Sequence, residues 1–321
     1  MAKTGDIKRR IRSVGNIQKI TKAMEMVAAV KMRRAVEAVL KTRTYANLSW
    51  ETMVNVARLS RSRHEPIHPL LVRRPRVSRV GIVLIASNRG LCGGFNAALL
   101  QRVRHSIAKH QRTADGEIES EFIVVGKKGE LISRWGYKIA AEFPKTDLAR
   151  GIVDILPIAR LVTEDFLFRR YDKIMVAYTD YFNPLQQKPR VRQLLPVEIE
   201  APDRYLGVVG KGTAMATSLD FIEDKAAKHL VKDELAREYL FEPAPFEVLD
   251  QLLPRLIEVQ LYQALLEVNA SEHSARMSAM RQANESAAEM VDDLTLFYNK
   301  TRQAGITAEI AEIAAGANAL E

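Results

Sequence analysis

The chain has 321 residues with 48 Lys+Arg against 39 Asp+Glu, a net charge of +9. A hydrophobic content of 47% with 27% charged residues excludes disorder as the main state, and the length allows two domains of about 100–200 residues each. No apolar run approaches the ~20 residues a membrane span needs, one cysteine excludes an intrachain disulfide framework or a multi-cysteine metal centre, and the basic excess leaves nucleic acid or an anionic membrane as partners to be considered.

The first predicted element is a helix from Thr4 to about Arg63. This stretch has no proline, and Ile7, Ile11, Val14, Ile17, Ile20, Met24 and Val27 recur in three- and four-residue steps, followed by Ala28, Met32, Val36 and Val39. Thr4 is placed as N-cap, with Asp6 in the first turn. About 55 helical residues extend roughly 80 Å, which points to a coiled coil or rod. Pro66 and Pro69 end it. Residues 1–63 carry fifteen cations against four anions.

The middle alternates strands and helices. Strands are predicted at 77–87, 121–126, 137–142, 172–182 and 191–199, and helices at 95–110, 128–135 and 152–170. Pro189 and Pro202 bound the last strand, and a turn is expected at Asn183-Pro184. This order predicts a parallel or mixed sheet with helices on its faces. Residues 203–237 are weakly patterned, with one possible helix at 226–239.

The glycines after the first strand invite a nucleotide reading, which fails on spacing. Gly90, Gly93 and Gly94 form G-x-x-G-G, and Gly207-x-x-Gly210-x-Gly212 is equally off pattern. A tight strand-to-helix turn is the better role for the first set. His64 and His68 straddle Pro66, and His105 and His110 are five apart, so no metal-ligand spacing emerges. Cys92 reads as a small buried hydrophobe rather than a reactive thiolate. Asp292-Asp293 reads as a solvated pair. No catalytic constellation, cofactor site or metal site is expected.

The last element is a helix starting near Phe246, after Pro243 and Pro245. Its apolar residues are Leu249, Leu253, Leu256, Leu261, Leu265 and Val268, then Met280, Ala283, Ala287, Met290, Leu294, Phe297, Thr301, Ala304, Ile310 and Ile313. Pro254 should kink it or mark its true first turn. Residues 247–321 carry five cations against twelve anions, so a basic head and an acidic tail are expected to lie side by side as an antiparallel pair. The predicted fold is therefore α/β: a central sheet domain plus a long antiparallel coiled coil of the N- and C-terminal helices. The expected divisions are 1–65 (first coiled-coil helix), 75–202 (Rossmann-like domain), 203–245 (variable insertion and connector) and 246–321 (second coiled-coil helix). The residues alone leave open a helical shaft, a nucleic-acid-binding coiled coil and an α/β nucleotide enzyme.

Four blocks narrow the choice: residues 7–29 (IKRRIRSVGNIQKITKAMEMVAA), 87–96 (SNRGLCGGFN), 241–243 (FEP), and 271–277 (SEHSARM) with its continuation through LFYNKTRQAGIT at 296–307 to Glu312-Ile313. Together they resemble the gamma subunit of F-type ATP synthases. The two-cysteine segment of chloroplast members is absent. The resemblance implies a non-catalytic rotor whose coiled coil enters a hexamer of alpha and beta subunits, with the epsilon subunit and the membrane c-ring as further partners. It implies no cofactor, no nucleic acid and no direct membrane insertion. Carried over position by position, it places Lys22, Met24 and Arg276 where the shaft meets catalytic-subunit loops. Arg302, Gln303 and Thr307 fall at upper-shaft contacts. Ile310, Ile313, Ala314, Ala317 and Leu320 fall at an apolar tip. The expected location is the cytoplasmic face of a bacterial plasma membrane, since no apolar signal core or transit segment opens the chain.

Overall fold

The computed structural model describes residues 4–62, 68–113, 118–147, 151–197 and 245–318. The predicted helix at 226–239, the glycines at 207–212 and Leu320 lie outside these residues. The elements in chain order are α1 (Thr4–Ser62), β1 (Arg79–Ile85), α2 (Phe95–Thr113), β2 (Glu119–Val125), β3 (Lys138–Phe143), α3 (Leu156–Leu167), β4 (Lys173–Asn183), β5 (Gln186–Leu195) and α4 (Pro245–Asn318). Short 3-10 turns occupy Pro69–Leu71, Lys127–Trp135 and Ile152–Asp154. The chain divides into two compact units, one of residues 1–29 with 276–321 and one of residues 30–275.

The larger unit holds a five-stranded sheet in the order β3-β2-β1-β4-β5. The first four strands are parallel and β5 runs antiparallel along the edge. Because side chains alternate across a strand, β1 and β2 divide their apolar residues between two cores. Ile82, Leu84, Phe122 and Val124 face Leu99, Val103 and Ile107 of α2. Val83, Ile85, Ile123 and Val125 belong to a core with Ile158, Val162 and Phe166 of α3 and with Leu253, Leu256, Leu261 and Leu265 of α4. Burial on both faces explains why these strands read as unbroken apolar runs.

Four points differ from the sequence reading. The strand expected to start at Val191 starts at Gln186 and includes Pro189. An edge strand tolerates the missing N–H, and Asn183 closes the β4–β5 hairpin by accepting from the N–H groups of Leu185 (2.9 Å) and Gln186 (2.8 Å). Residues 152–170 are a 3-10 turn followed by a shorter helix, which ends before Arg169 in the left-handed region (φ 59°). Pro254 neither starts α4 nor stops it, because the helix begins nine residues earlier at Pro245. Thr4, placed as N-cap by the sequence, is itself helical.

The turn after β1 does hold glycine for its backbone. Gly93 (φ 57°) and Leu91 (φ 61°) are both left-handed. Cys92 is buried there, and Asn96 closes the turn by accepting from Ser87 N–H (3.1 Å) through its Oδ1 and donating to Ser87 Oγ (2.8 Å) through its Nδ2.

Candidate coupling surfaces

In the unit of residues 1–29 and 276–321, burial follows a 4-3 rhythm. On α1 this line runs through Ile7, Ile11, Val14, Gln18, Thr21, Glu25 and Ala28, and on α4 through Met277, Met280, Asn284, Ala287, Val291, Leu294, Tyr298 and Thr301, with half-buried residues such as Met24 and Ala283 flanking it. A mean step of 3.5 is the coiled-coil period, which keeps one seam facing its partner. This corrects the stripe read from the sequence. Going from Val14 to Ile17 to Ile20 takes two successive three-residue steps, and at 100° per residue Ile20 lies about 140° around the helix from Ile7. Ile20 is accordingly 59% exposed and Val27 56%, while Thr21 and Ala28 are buried. On α4 the predicted stripe already averages 3.5 residues per step but takes its three- and four-residue steps in the opposite order, so Met290 and Phe297 yield to Val291 and Tyr298. The seam holds apolar and uncharged residues except Glu25, so nearly all charges sit outside it. The pairs Arg9–Asp6, Lys22–Glu25 (3.1 Å each) and Arg281–Glu285 (3.1 Å) close along their own helices rather than joining basic head to acidic tail.

The seam stops at Thr301, and every residue from Arg302 to Ala315 is exposed. Arg302, Gln303, Thr307, Ile310, Ile313 and Ala314 all lie on this bare stretch, where Thr307 Oγ1 donates back to the Gln303 carbonyl (3.0 Å). Ala317 is in the last turn of α4. Lys22 is exposed on α1, while Met24 and Arg276 are half-buried.

The unit of residues 30–275 contains a site the sequence reading missed. From Gln263 to Ser274, every residue of α4 is buried, although the segment includes Gln263, Glu267, Asn269, Ser271, Glu272, His273 and Ser274. These side chains make directional contacts. Lys145 Nζ, on the loop after β3, pairs with Glu272 Oε2 (2.7 Å) and donates to Asn269 Oδ1 (2.5 Å). Asn269 Nδ2 donates to the Thr146 carbonyl (3.1 Å). From the other side, Ser271 Oγ donates to the Thr179 carbonyl (3.1 Å) and Ser274 Oγ to the Pro184 carbonyl (2.6 Å).

The α1 helix joins the same network. Thr42 Oγ1 donates to Gln263 Oε1 (2.6 Å), whose amide donates to Glu267 Oε1 (3.1 Å). Lys31 pairs with Asp147 (3.6 Å), whose carbonyl faces His273 Nε2 (3.4 Å). Lys31 and His273, bridged by Asp147, and Thr42 with Gln263 fix an antiparallel run of α1 against α4. Ala35, Val39, Leu266 and Ala270 fill the apolar space beside it. Burial acts to raise the Asp147 carboxyl, but the charges of Lys145, Lys31 and His273 and a hydrogen bond from Asn88 bring it below its ordinary value. Burial pushes the Tyr178 phenol up, reinforced by the Glu267 charge.

This network lies at the carboxyl ends of the parallel strands, where open α/β sheets usually take their ligands. Here the chain's own helix occupies that place. Such use of the crevice fits the failed phosphate-loop spacings.

A family model described as "ATP synthase" matches residues 3–320. An ATP synthase gamma chain of Herpetosiphon aurantiacus is 44% identical over 100% of this chain and 99% of its own. The chain belongs to the ATP synthase gamma-chain family. A second gamma chain, from Chloroflexus aurantiacus, is 40% identical over 100% of this chain and 99% of its own. The fold is that of rotary-enzyme stalks. A chain of the Euglena gracilis mitochondrial ATP synthase (OSCP/F1/c-ring) has a TM-score of 0.59 at 15% identity, over 99% of this chain and 94% of its own. A chain of the Tetrahymena thermophila mitochondrial ATP synthase central stalk and c-ring has 0.57 at 21%, over 82% and 99%. In this gamma-chain family member, no described helix is long and apolar enough to cross a membrane.

One signal for the buried polar segment was present in the sequence. VQLYQALLEVNASEHSA, residues 259–275, mixes polar and apolar residues on every side of a helix. A one-sided stripe marks a helix on a surface, whereas this pattern needs polar partners all round.

Proposed function

We propose that this chain is the central-stalk rotor subunit of a rotary ATP synthase. In this reading it couples ion flow through a membrane ring to ATP synthesis or hydrolysis in a hexamer of alpha and beta subunits. The observation that carries the reading is the bare end of α4. Residues 302–315 are exposed throughout, with Ile306 at 50%, Ile310 at 62% and Ile313 at 73%, in a chain of the gamma-chain family. Apolar residues set out along a helix end mark a surface that another protein covers. Ile17, Ile20, Met26, Val27, Leu296 and Phe297 extend the exposed apolar surface over the helix pair.

In this reading the catalytic groups belong to the alpha and beta subunits, and this chain works by differential binding. An asymmetric rotor must bind one pocket conformation better than another, because equal binding shifts no equilibrium. Lys22, Met24 and Arg276 meet catalytic-subunit loops, Arg302, Gln303 and Thr307 contact them higher up, and Ile310, Ile313, Ala314, Ala317 and Leu320 turn in an apolar bearing. The epsilon subunit and the c-ring bind the sheet unit, and the complex sits at the cytoplasmic face of a bacterial plasma membrane.

Co-expression with alpha and beta subunits tests the assignment. The expected result is a complex whose ATPase depends on this chain; a purified complex that excludes it overturns the reading. Arg302→Ala with Thr307→Ala should lower ATP-driven ion pumping several-fold while the chain stays folded. Unchanged pumping would reject the upper-shaft role.

A further inference from the structure

The rotor reading leaves open what stops α4 from turning against the sheet when torque is applied. Apolar packing resists separation but is non-directional. The polar contacts of residues 269–274 have direction, and they fall into two sets. Asn269, Glu272 and His273 reach the loop at Lys145–Asp147, whereas Ser271 and Ser274 reach the β4 carbonyl of Thr179 and the hairpin carbonyl of Pro184. At 100° per residue the two sets lie on opposite sides of the helix, about 180° apart. Turning α4 by about 20° sweeps an atom about 5 Å from the axis through about 1.7 Å. Moved sideways by that much, the 2.7 Å Lys145–Glu272 pair lengthens to about 3.2 Å, past the usual ~2.7–2.9 Å of a charge-assisted contact. No solvent replaces it, because Lys145 is 0% exposed and Glu272 is 2%.

We propose that the Lys145–Glu272 ion pair is a positioning element that keys the rotational setting of α4 on the sheet, so that coupling, and not only folding, depends on it. Setting a register is the best-attested use of a buried ionic group. The proposal rests on the rotor reading, and it assigns the transmission of torque inside this chain to two residues outside every partner contact named above.

The test uses the whole complex with alpha and beta subunits and the membrane ring. In the double variant Lys145→Met with Glu272→Met, the apolar pair removes the key without leaving a lone buried charge. We expect it to assemble and melt near the wild-type temperature, with ATPase within about twofold and ions pumped per ATP reduced several-fold. The exchanged pair, Lys145→Glu with Glu272→Lys, should recover at least half of the lost pumping. Ser271→Ala with Ser274→Ala removes the opposite grip without changing buried charge, so a readout remains if the methionine variant fails to fold; it too should lower pumping per ATP. Wild-type pumping per ATP in a folded methionine variant, or in the serine variant, overturns the key. Failure of the unaltered chain to join alpha and beta overturns the rotor reading instead, so the two outcomes are separable.

Discussion

Two stretches of one helix carry similar residues and meet opposite fates. Residues 263–274 (QALLEVNASEHS) are buried on every side, and residues 302–315 (RQAGITAEIAEIAA) are exposed on every side. Neither has a clean apolar stripe. The first is covered by its own chain, with most of its polar side chains given a specific partner. The second lacks any such cover among the described residues. The contrast teaches that an all-round mixture of apolar and polar residues signals an all-round environment, without saying whose protein supplies it. Inside the chain that environment is bonds to a sheet; on the bare end it is a surface shaped for other subunits.

The largest way to break the contrast is to remove one buried charge. Lys145→Met takes the Lys145 charge away from the buried Glu272 carboxylate, and breaking a buried pair from one side costs about 3–5 kcal/mol. Denaturant unfolding of the chain should show that loss as a lower midpoint with an unchanged slope. Adding Glu272→Met should return most of it, since replacing both partners is often neutral. Ile310→Ser on the bare stretch should move the same midpoint by no more than about 0.5 kcal/mol. A loss at Ile310 as large as that at Lys145 would mean that the chain covers its own tip.

A smaller effect tests the helix pair. Ile7 is 4% exposed in the seam, and Ile→Ala at a buried position costs about 2–5 kcal/mol, with the low end expected one turn from the helix start. Ile20→Ala, at a residue 59% exposed, should cost less than about 0.5 kcal/mol. Hydrogen-exchange protection of residues 4–29 separates the two. Equal losses would restore the stripe that the sequence alone presented.

That stripe marks how far the sequence was legible. Both long helices, the order of strands and helices, and the buried state of Cys92 followed from periodicity and punctuation, because these are local properties. The seam was misplaced because apolar residues also recur off it: on α1 the three-residue steps through Ile17 and Ile20 walk away from the 3.5-residue line, and only the partner helix shows that Gln18 and Thr21 are the covered positions. Pro189 was misread as a boundary because only the sheet order shows that β5 is an edge. The upper-shaft and tip residues came from resemblance; Arg302, Gln303, Thr307, Ile310, Ile313 and Ala314 lie on the exposed stretch of α4. The Lys145–Glu272 pair was not legible, since its partners are 127 positions apart and neither belongs to a motif.

The smallest expected effect is in the acid limb of stability, and it separates built-in charged contacts from surface ones. Burial acts to raise the Asp172 carboxyl, but the backbone N–H groups of Arg79 and Ser78 and the Arg74 guanidinium, at 2.9–3.0 Å, bring it below its ordinary value. Asp147 is lowered in the same sense. A carboxyl lowered in the fold binds fewer protons there than in the unfolded chain. Its stabilisation is therefore complete above the unfolded value of about 3.9 and is lost as pH falls through the folded one. Asp165 has the opposite sign: burial raises it despite Arg170, so its contribution falls as pH rises from about 3.9 through the folded value. Asp172→Asn should flatten the rise in stability with pH on the acid side, and Asp165→Asn should remove a decline above it. Asp6→Asn, which breaks a pair exposed at 82% and 60%, should shift neither limb by more than surface pairs usually do. Thermal midpoints measured from pH 3 to 7 distinguish the three. Matching profiles for Asp172→Asn and Asp6→Asn would mean that the hydrogen bonds at the foot of β1 hold no more charge energy than a solvated pair on α1.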